Sequence, residues 1–112
     1  MLVQHLMKYY RSRDDRRTFC FLFCLYSDLN TWRIYIINDI PYGSALANNF
    51  HLTHRLHDRG EDYDYICWGG IISTLEQAMA VASLWADTTS IMLDTGRPFD
   101  AICQELKNQE ED

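Results

Sequence analysis

The stretch Tyr63–Leu93, YDYICWGGIISTLEQAMAVASLWADTTSIML, decides the fold. It opens on strand-like residues, Tyr65-Ile66-Cys67-Trp68, bends at Gly69-Gly70, and then changes period. Ser73 and Glu76 stand in the S/T-x-x-E relation of a capping box, in which the hydroxyl serves one orphan amide and the carboxylate returns to the cap's own N–H. A helix is therefore expected from Ser73. Leu75, Ala78, Met79, Ala82, Trp85 and Ala86 recur at three and four residues, the spacing of one helical face, and Met92 and Leu93 continue the row. Val81, Leu84 and Ile91 widen that stripe, so the helix calls for a sheet on one side and a further element on another. Asp94-Thr95-Gly96, with Pro98 beyond it, ends the run, because glycine accepts the left-handed conformation past a helix terminus and proline cannot continue the ladder. A helix over residues 73–93 spans about 30 Å, the width of one small domain.

Upstream the period falls to two. Met7–Arg11 and Arg17–Tyr26, rich in Tyr, Phe and Cys, flank the polar turn Ser12-Arg13-Asp14-Asp15-Arg16 and read as an antiparallel hairpin. Ser27-Asp28-Leu29-Asn30 then turns the chain into a third strand, Thr31–Ile37, completing a meander. In the central strand Phe19, Phe21, Phe23 and Leu25 face one way and Cys20, Leu22, Cys24 and Tyr26 the other, so both faces are apolar. A sheet with one face in water alternates cleanly; a second apolar face predicts cover from another element or a homodimer. Residues 39–62 are turn-rich, with a short strand at Leu52–Leu56 expected to pair with Tyr63–Trp68. After Pro98 the spacing of Phe99, Ile102, Cys103 and Leu106 predicts a short second helix, and residues 107–112 read as a frayed acidic tail. The expected fold is α+β: one domain over residues 1–112, an antiparallel sheet of four to five strands, the long helix on one face and a short C-terminal helix.

With 112 residues, 47% of them hydrophobic, the chain has enough apolar surface for one core and too little for two. Met1–Met7 lacks the plan of a signal peptide, and no apolar run approaches the roughly 18 residues of a membrane span, so a cytoplasmic protein without membrane contact is expected. Cys20, Cys24, Cys67 and Cys103 lack paired motif spacing and read as buried thiols. The net charge is −6, yet residues 1–60 carry eight Lys or Arg against five Asp or Glu, whereas residues 61–112 carry two against eleven. Such a division steers and selects partners if it survives folding. Arg11, Arg13, Arg16 and Arg17 crowd the first hairpin, but Asp14 and Asp15 intervene, which disfavours direct nucleic-acid binding there.

Three groups have chemical potential. His51, His54 and His57 form H-x-x-H-x-x-H beside Asp58, Asp62 and Asp64, a donor set for a divalent transition metal if the imidazoles converge. On a strand, residues three apart face opposite ways, and the flanking turns disfavour the helix that would align them. Cys67 lies near those histidines in sequence, but its apolar run favours a packed thiol over an activated nucleophile. Trp32, Tyr35, Tyr42 and Trp68 are candidates to line a ligand pocket, against the usual role of strand aromatics in a core. There is no phosphate-binding glycine loop or nucleophile elbow, so no turnover and no cofactor are expected.

The succession Thr53-His54-Arg55-Leu56, Tyr65-Ile66-Cys67-Trp68, Ala82-Ser83-Leu84-Trp85-Ala86-Asp87-Thr88-Thr89 and Thr95-Gly96, spread over roughly residues 30–99, resembles small proteins carried by phages and conjugative elements of gut Firmicutes. The resemblance brings no catalytic residue. It implies a mobile-element accessory protein, and proteins of this size and acidity in that setting are frequently inhibitors of host defence, anti-CRISPR proteins among them. On that reading Glu61, Asp62, Asp64, Asp87, Asp94 and the tail imitate phosphates and dock on a basic, nucleic-acid-handling protein. The alternatives are a small metal-assisted hydrolase or nuclease using His51, His54 and His57, and a structural homodimeric subunit.

Overall fold

Strands β1 (Leu2–Arg11), β2 (Thr18–Tyr26) and β3 (Thr31–Ile36) form the expected meander in the computed structural model, which describes residues 1–111. β1 reaches further toward the N-terminus than its apolar residues suggest. Gln4 and His5 interrupt the apolar pattern, but on an exposed edge strand polar side chains carry no penalty, and a register shift between Leu2 and Gln4 absorbs the irregularity.

The next segment departs from expectation. Phe50–Thr53 forms a single helical turn, α1, capped by the Asn49 side chain, which accepts from the Leu52 amide. His54 takes a left-handed conformation at φ 53°, and only Arg55–Leu56 (β4) remains extended. It pairs with Tyr65–Ile66 (β5) through Arg55↔Ile66 and Leu56↔Tyr65, the pairing anticipated for this region. β5 sits beside β3, giving the antiparallel order β1-β2-β3-β5-β4.

Helix α2 (Leu75–Thr95) is the long helix, displaced two residues at each end from the expected 73–93, with its cap moved by one. Thr74, extended at φ −127° and ψ 155°, accepts from the Gln77 amide at 3.0 Å, while the Gln77 side chain accepts from the Ser73 amide at 3.2 Å. The sequence contains two overlapping boxes, Ser73/Glu76 and Thr74/Gln77, and the second is used. Gly96, at φ 73°, returns its N–H to the Met92 carbonyl at 2.8 Å and closes the helix. Helix α3 (Phe99–Glu111) continues through the segment expected to fray, since its turns go on closing and the Gln104 amide donates to Asn108 one turn ahead at 3.0 Å. Asp112 lies outside the described residues.

The core lies between the sheet and α2. Phe19, Phe21 and Phe23 of β2 and Ile34 and Ile36 of β3 meet Ala78, Ala82, Trp85 and Ala86, whose small neighbours let the helix approach closely. Trp85, 2% exposed, sets its indole edge-on to Phe19 and Phe21 at 5.9 and 6.1 Å. Phe99, Ile102 and Leu106 of α3 extend the same core and provide the second cover that the wide stripe on α2 requires. Toward its end α2 turns polar, and there Ser90 donates to Asp14 at 2.9 Å while the Ser90 carbonyl accepts from Arg17 at 3.0 Å.

The two faces of β2 end differently. Cys20, Cys24 and Tyr35 are buried on the face away from α2. Their cover near β3 is a polar lid, with the Arg33 guanidinium 4.0 Å from the Tyr65 ring and bonded to Asp58 at 2.8 Å, and the Tyr35 hydroxyl donating to Glu61 at 2.6 Å. Toward β1 that face is open, leaving Met7 55% and Tyr9 74% exposed.

Candidate functional site

The left-handed turn at His54 positions the densest group of reactive side chains. It sets the imidazole on the Phe99 ring, with centroids 4.2 Å apart and planes 18° from parallel, and brings Nε2 to 3.0 Å from Asp100 Oδ1. Trp85 secures the backbone beneath, its indole N–H donating to the carbonyls of Thr53 and His54 at 3.2 and 3.1 Å. Opposite, the Cys67 amide donates to the His54 carbonyl at 2.9 Å. His54, Cys67, Trp68, Asp100, Cys103 and Lys107 thus share one cavity of about 470 Å³ between β5, α2 and α3.

Two sequence candidates, His54 and Cys67, are therefore brought together, and Cys67 is half-buried rather than packed in the core. Asp100 and Lys107 are not among the sequence candidates, and Cys103 is there only as a buried thiol of the second helix. Asp100, Cys103 and Lys107 stand at i, i+3 and i+7 on α3, one helical face, a spacing legible beside the apolar row that identified the helix. The cavity has aromatic walls, an ammonium group 5.7 Å from the Trp68 ring, and two thiols. Among the described residues neither thiol is hydrogen-bonded to the imidazole, whose Nε2 is engaged by Asp100. The nucleophile–base contact of a thiol enzyme is not formed.

The three histidines do not converge. His51 stacks on His54 with centroids 6.4 Å apart, but His57 Nδ1 lies 2.8 Å from Asp64 Oδ1. The single turn of α1 and the reversal at His54 throw His57 onto another surface, and among the described residues no three His, Cys, Asp or Glu side chains are placed to hold one metal ion. The four aromatic candidates also part company. Trp32 enters the core, Tyr35 joins the polar lid, Tyr42 stacks on the Arg55 guanidinium at 4.1 Å, and Trp68 stands at the cavity rim.

Three of the five acidic candidates, Asp94, Glu61 and Asp64, meet arginines of the first half. Asp94 takes Arg16 at 2.6 Å and Arg17 at 2.9 Å, and the Arg17 hydrogen bonds, followed by the charges of both guanidinium groups, hold its carboxyl below the usual range. Asp87 accepts from the Tyr10 hydroxyl at 2.9 Å and the Arg13 amide at 2.8 Å. Glu61 faces Arg33 and Tyr35, and Asp64 receives Arg55 at 2.5 Å together with His57. Asp62 alone of the five is exposed and unpaired among the described residues. Glu61, Asp62 and Asp64 share the loop between β4 and β5, and Asp62, Asp64 and Asp39 line a depression of about 400 Å³; Asp87 and Asp94 lie under the first hairpin instead.

Four tyrosines bound into this framework fix the alkaline limit of stability. Burial, then the Asp87 carboxylate, pushes Tyr10 up to about 12. Burial and then Glu61 raise Tyr35, burial raises Tyr42, and burial and then Asp58 raise Tyr65. An unfolded tyrosine releases its proton near pH 10, whereas these hold theirs in the folded state. Their contribution is complete below about pH 10 and is lost as pH rises toward 12. The urea midpoint is expected to fall continuously from about pH 9.5 to pH 11.5, and an unchanged midpoint over that range would contradict the assignment.

No family model, curated protein or solved structure matches the chain.

Proposed function

We propose that the protein is a non-enzymatic, acidic binding protein, an inhibitor or adaptor of the kind mobile elements carry, which docks on a basic, nucleic-acid-handling protein partner. The observation that carries this reading is the surface at the β3–β5–β4 end. Five carboxylates, Asp39, Asp58, Glu61, Asp62 and Asp64, stand there around the guanidinium groups of Arg33 and Arg55, and Asp39 and Asp62 have no cationic partner among the described residues. Arg33 and Arg55 hold the neighbouring carboxylates rigid, so the two free ones project from a fixed frame. Pre-ordered charge of this kind favours fast, selective association.

The test is retention of partner from an extract of a gut Firmicute by the immobilised protein. The same nucleic-acid-binding protein should be held at about 50 mM salt and released by about 500 mM, because exposed charges are screened within a Debye length. Asp39→Asn with Asp62→Asn should weaken retention about tenfold without changing the circular dichroism spectrum. Retention indifferent to salt, or unaltered in the double variant, would defeat the proposal.

A further inference from the structure

We propose that β1 is a pairing edge for a second copy of this chain, joining two five-stranded sheets into one across a two-fold axis; this stands apart from the acidic docking surface. β1 is ten residues long, the first strand of the sheet, and hydrogen-bonded on one side only. Native sheets blunt such edges with proline, clustered charge or brevity. Here there is no proline, Lys8 is the sole charged side chain before Arg11, and Leu2, Val3, Met7 and Tyr9 are all exposed.

The direction of the free backbone groups follows from the hairpin. Ser12 donates its N–H to the Arg17 carbonyl at 2.8 Å, and Ser12↔Arg17 continues the register Arg11↔Thr18 and Tyr10↔Phe19. In an antiparallel pair the bonded positions alternate. Tyr10, Lys8 and Leu6 therefore turn their N–H and C=O groups toward β2, while Arg11, Tyr9, Met7 and His5 turn theirs outward. A strand added to this edge meets a regular outward row from His5 to Arg11, which the register shift between Leu2 and Gln4 closes at its N-terminal end.

The occupant is set by what the outward row pairs with most readily. Placed antiparallel to itself with Met7 on the two-fold axis, β1 sets Tyr9 opposite His5 and Lys8 opposite Leu6, so no like charges face one another within the regular part of the strand. Moving the axis to Lys8 would oppose two ammonium groups, which selects against that register. On the face away from α2, the exposed Met7 and Tyr9 of both copies then close over the axis, beside half-buried Leu22. That removes the open apolar area left where the polar lid of Arg33 and Tyr35 stops. The contact is isologous and closes on itself, as a two-fold dimer requires.

Sedimentation equilibrium of the full chain at micromolar concentration should give twice the 13.2 kDa chain mass. In amide exchange followed by NMR, Met7 and Tyr9 should be as slow as Leu6 and Lys8. Met7→Lys, at a side chain already exposed, should raise the dimer dissociation constant about 100-fold or more with an unchanged circular dichroism spectrum. Met7→Pro removes an outward N–H and should act in the same direction while leaving the β1–β2 ladder bonded. A species of only 13.2 kDa at about 100 µM would overturn the inference. So would a dimer in which the Met7 and Tyr9 amides exchange fast, since its interface would lie elsewhere. Loss of the acidic partner in the Asp39/Asp62 variant would leave this result untouched, so the two readings fail separately.

Discussion

Arg55→Ala is expected to destabilise the protein by about 3–5 kcal/mol, the range seen when one partner of a buried, hydrogen-bonded ion pair is removed. Arg55 is 5% exposed, and every side of its guanidinium is occupied. Nη1 donates to Asp64 at 2.5 Å and Nε to the Thr53 hydroxyl at 2.8 Å, while Nη2 donates to the carbonyls of Leu46 and Ala47. The rings of Tyr42 and Phe50 lie over it at 4.1 and 4.3 Å. One side chain thus gathers the loop before α1, the end of α1 and the loop before β5. Its truncation strands a carboxylate, two carbonyls and two rings at once. Lysine supplies the charge but neither the planar fork nor the stacking surface, so Arg55→Lys should recover less than half of the loss. Urea unfolding measures both variants, and local amide exchange over Leu46–Thr53 should rise in the alanine variant before the sheet is affected. A loss below about 1 kcal/mol, the value of an exposed ion pair, would show that Arg55 does not organise this region.

Trp85→Ala should cost about 3–5 kcal/mol by emptying the space between α2 and β2. The more informative substitution is Trp85→Phe. It keeps most of the edge-on contact with Phe19 and Phe21 and deletes the indole N–H that serves the carbonyls of Thr53 and His54. The expected loss is about 1–3 kcal/mol, that of leaving buried acceptors unserved. It should come with faster exchange at the Cys67 amide, which is bonded to the same His54 carbonyl. A phenylalanine variant as stable as the parent would mean that the turn at His54 is held by its own backbone and by Phe99, with no help from the helix.

The elements with a strong period were legible in the residues, and those held by single side chains were not. The meander, α2 and its glycine stop follow from alternation, a three-four spacing and Gly96, all local signals. The expected cap of α2 differs from the observed one by a residue because Ser73/Glu76 and Thr74/Gln77 satisfy the same rule. Leu52–Leu56 reads as strand because Leu52, Thr53 and Leu56 have strand character. There Asn49 capping and Arg55 burial, each a tertiary arrangement, prevail over propensity. His54 and Cys67 were singled out for their chemistry, yet their meeting in one cavity depends on a left-handed residue that no spacing announces. The acidic residues were legible as a charge imbalance, but not as pairs, because Asp94 and Arg17 are 77 positions apart.

That long-range pairing bears on how the net charge of −6 is to be understood. Arginines from the earlier portion are consumed by acids of the later one, at Asp94, Asp64 and Glu61, so what an approaching molecule senses is a remainder and not a total. Substitutions in either portion are then not independent. Neutralising an arginine near the first turn unmasks an anion on the long helix, and the exterior grows more negative without a single acid being added.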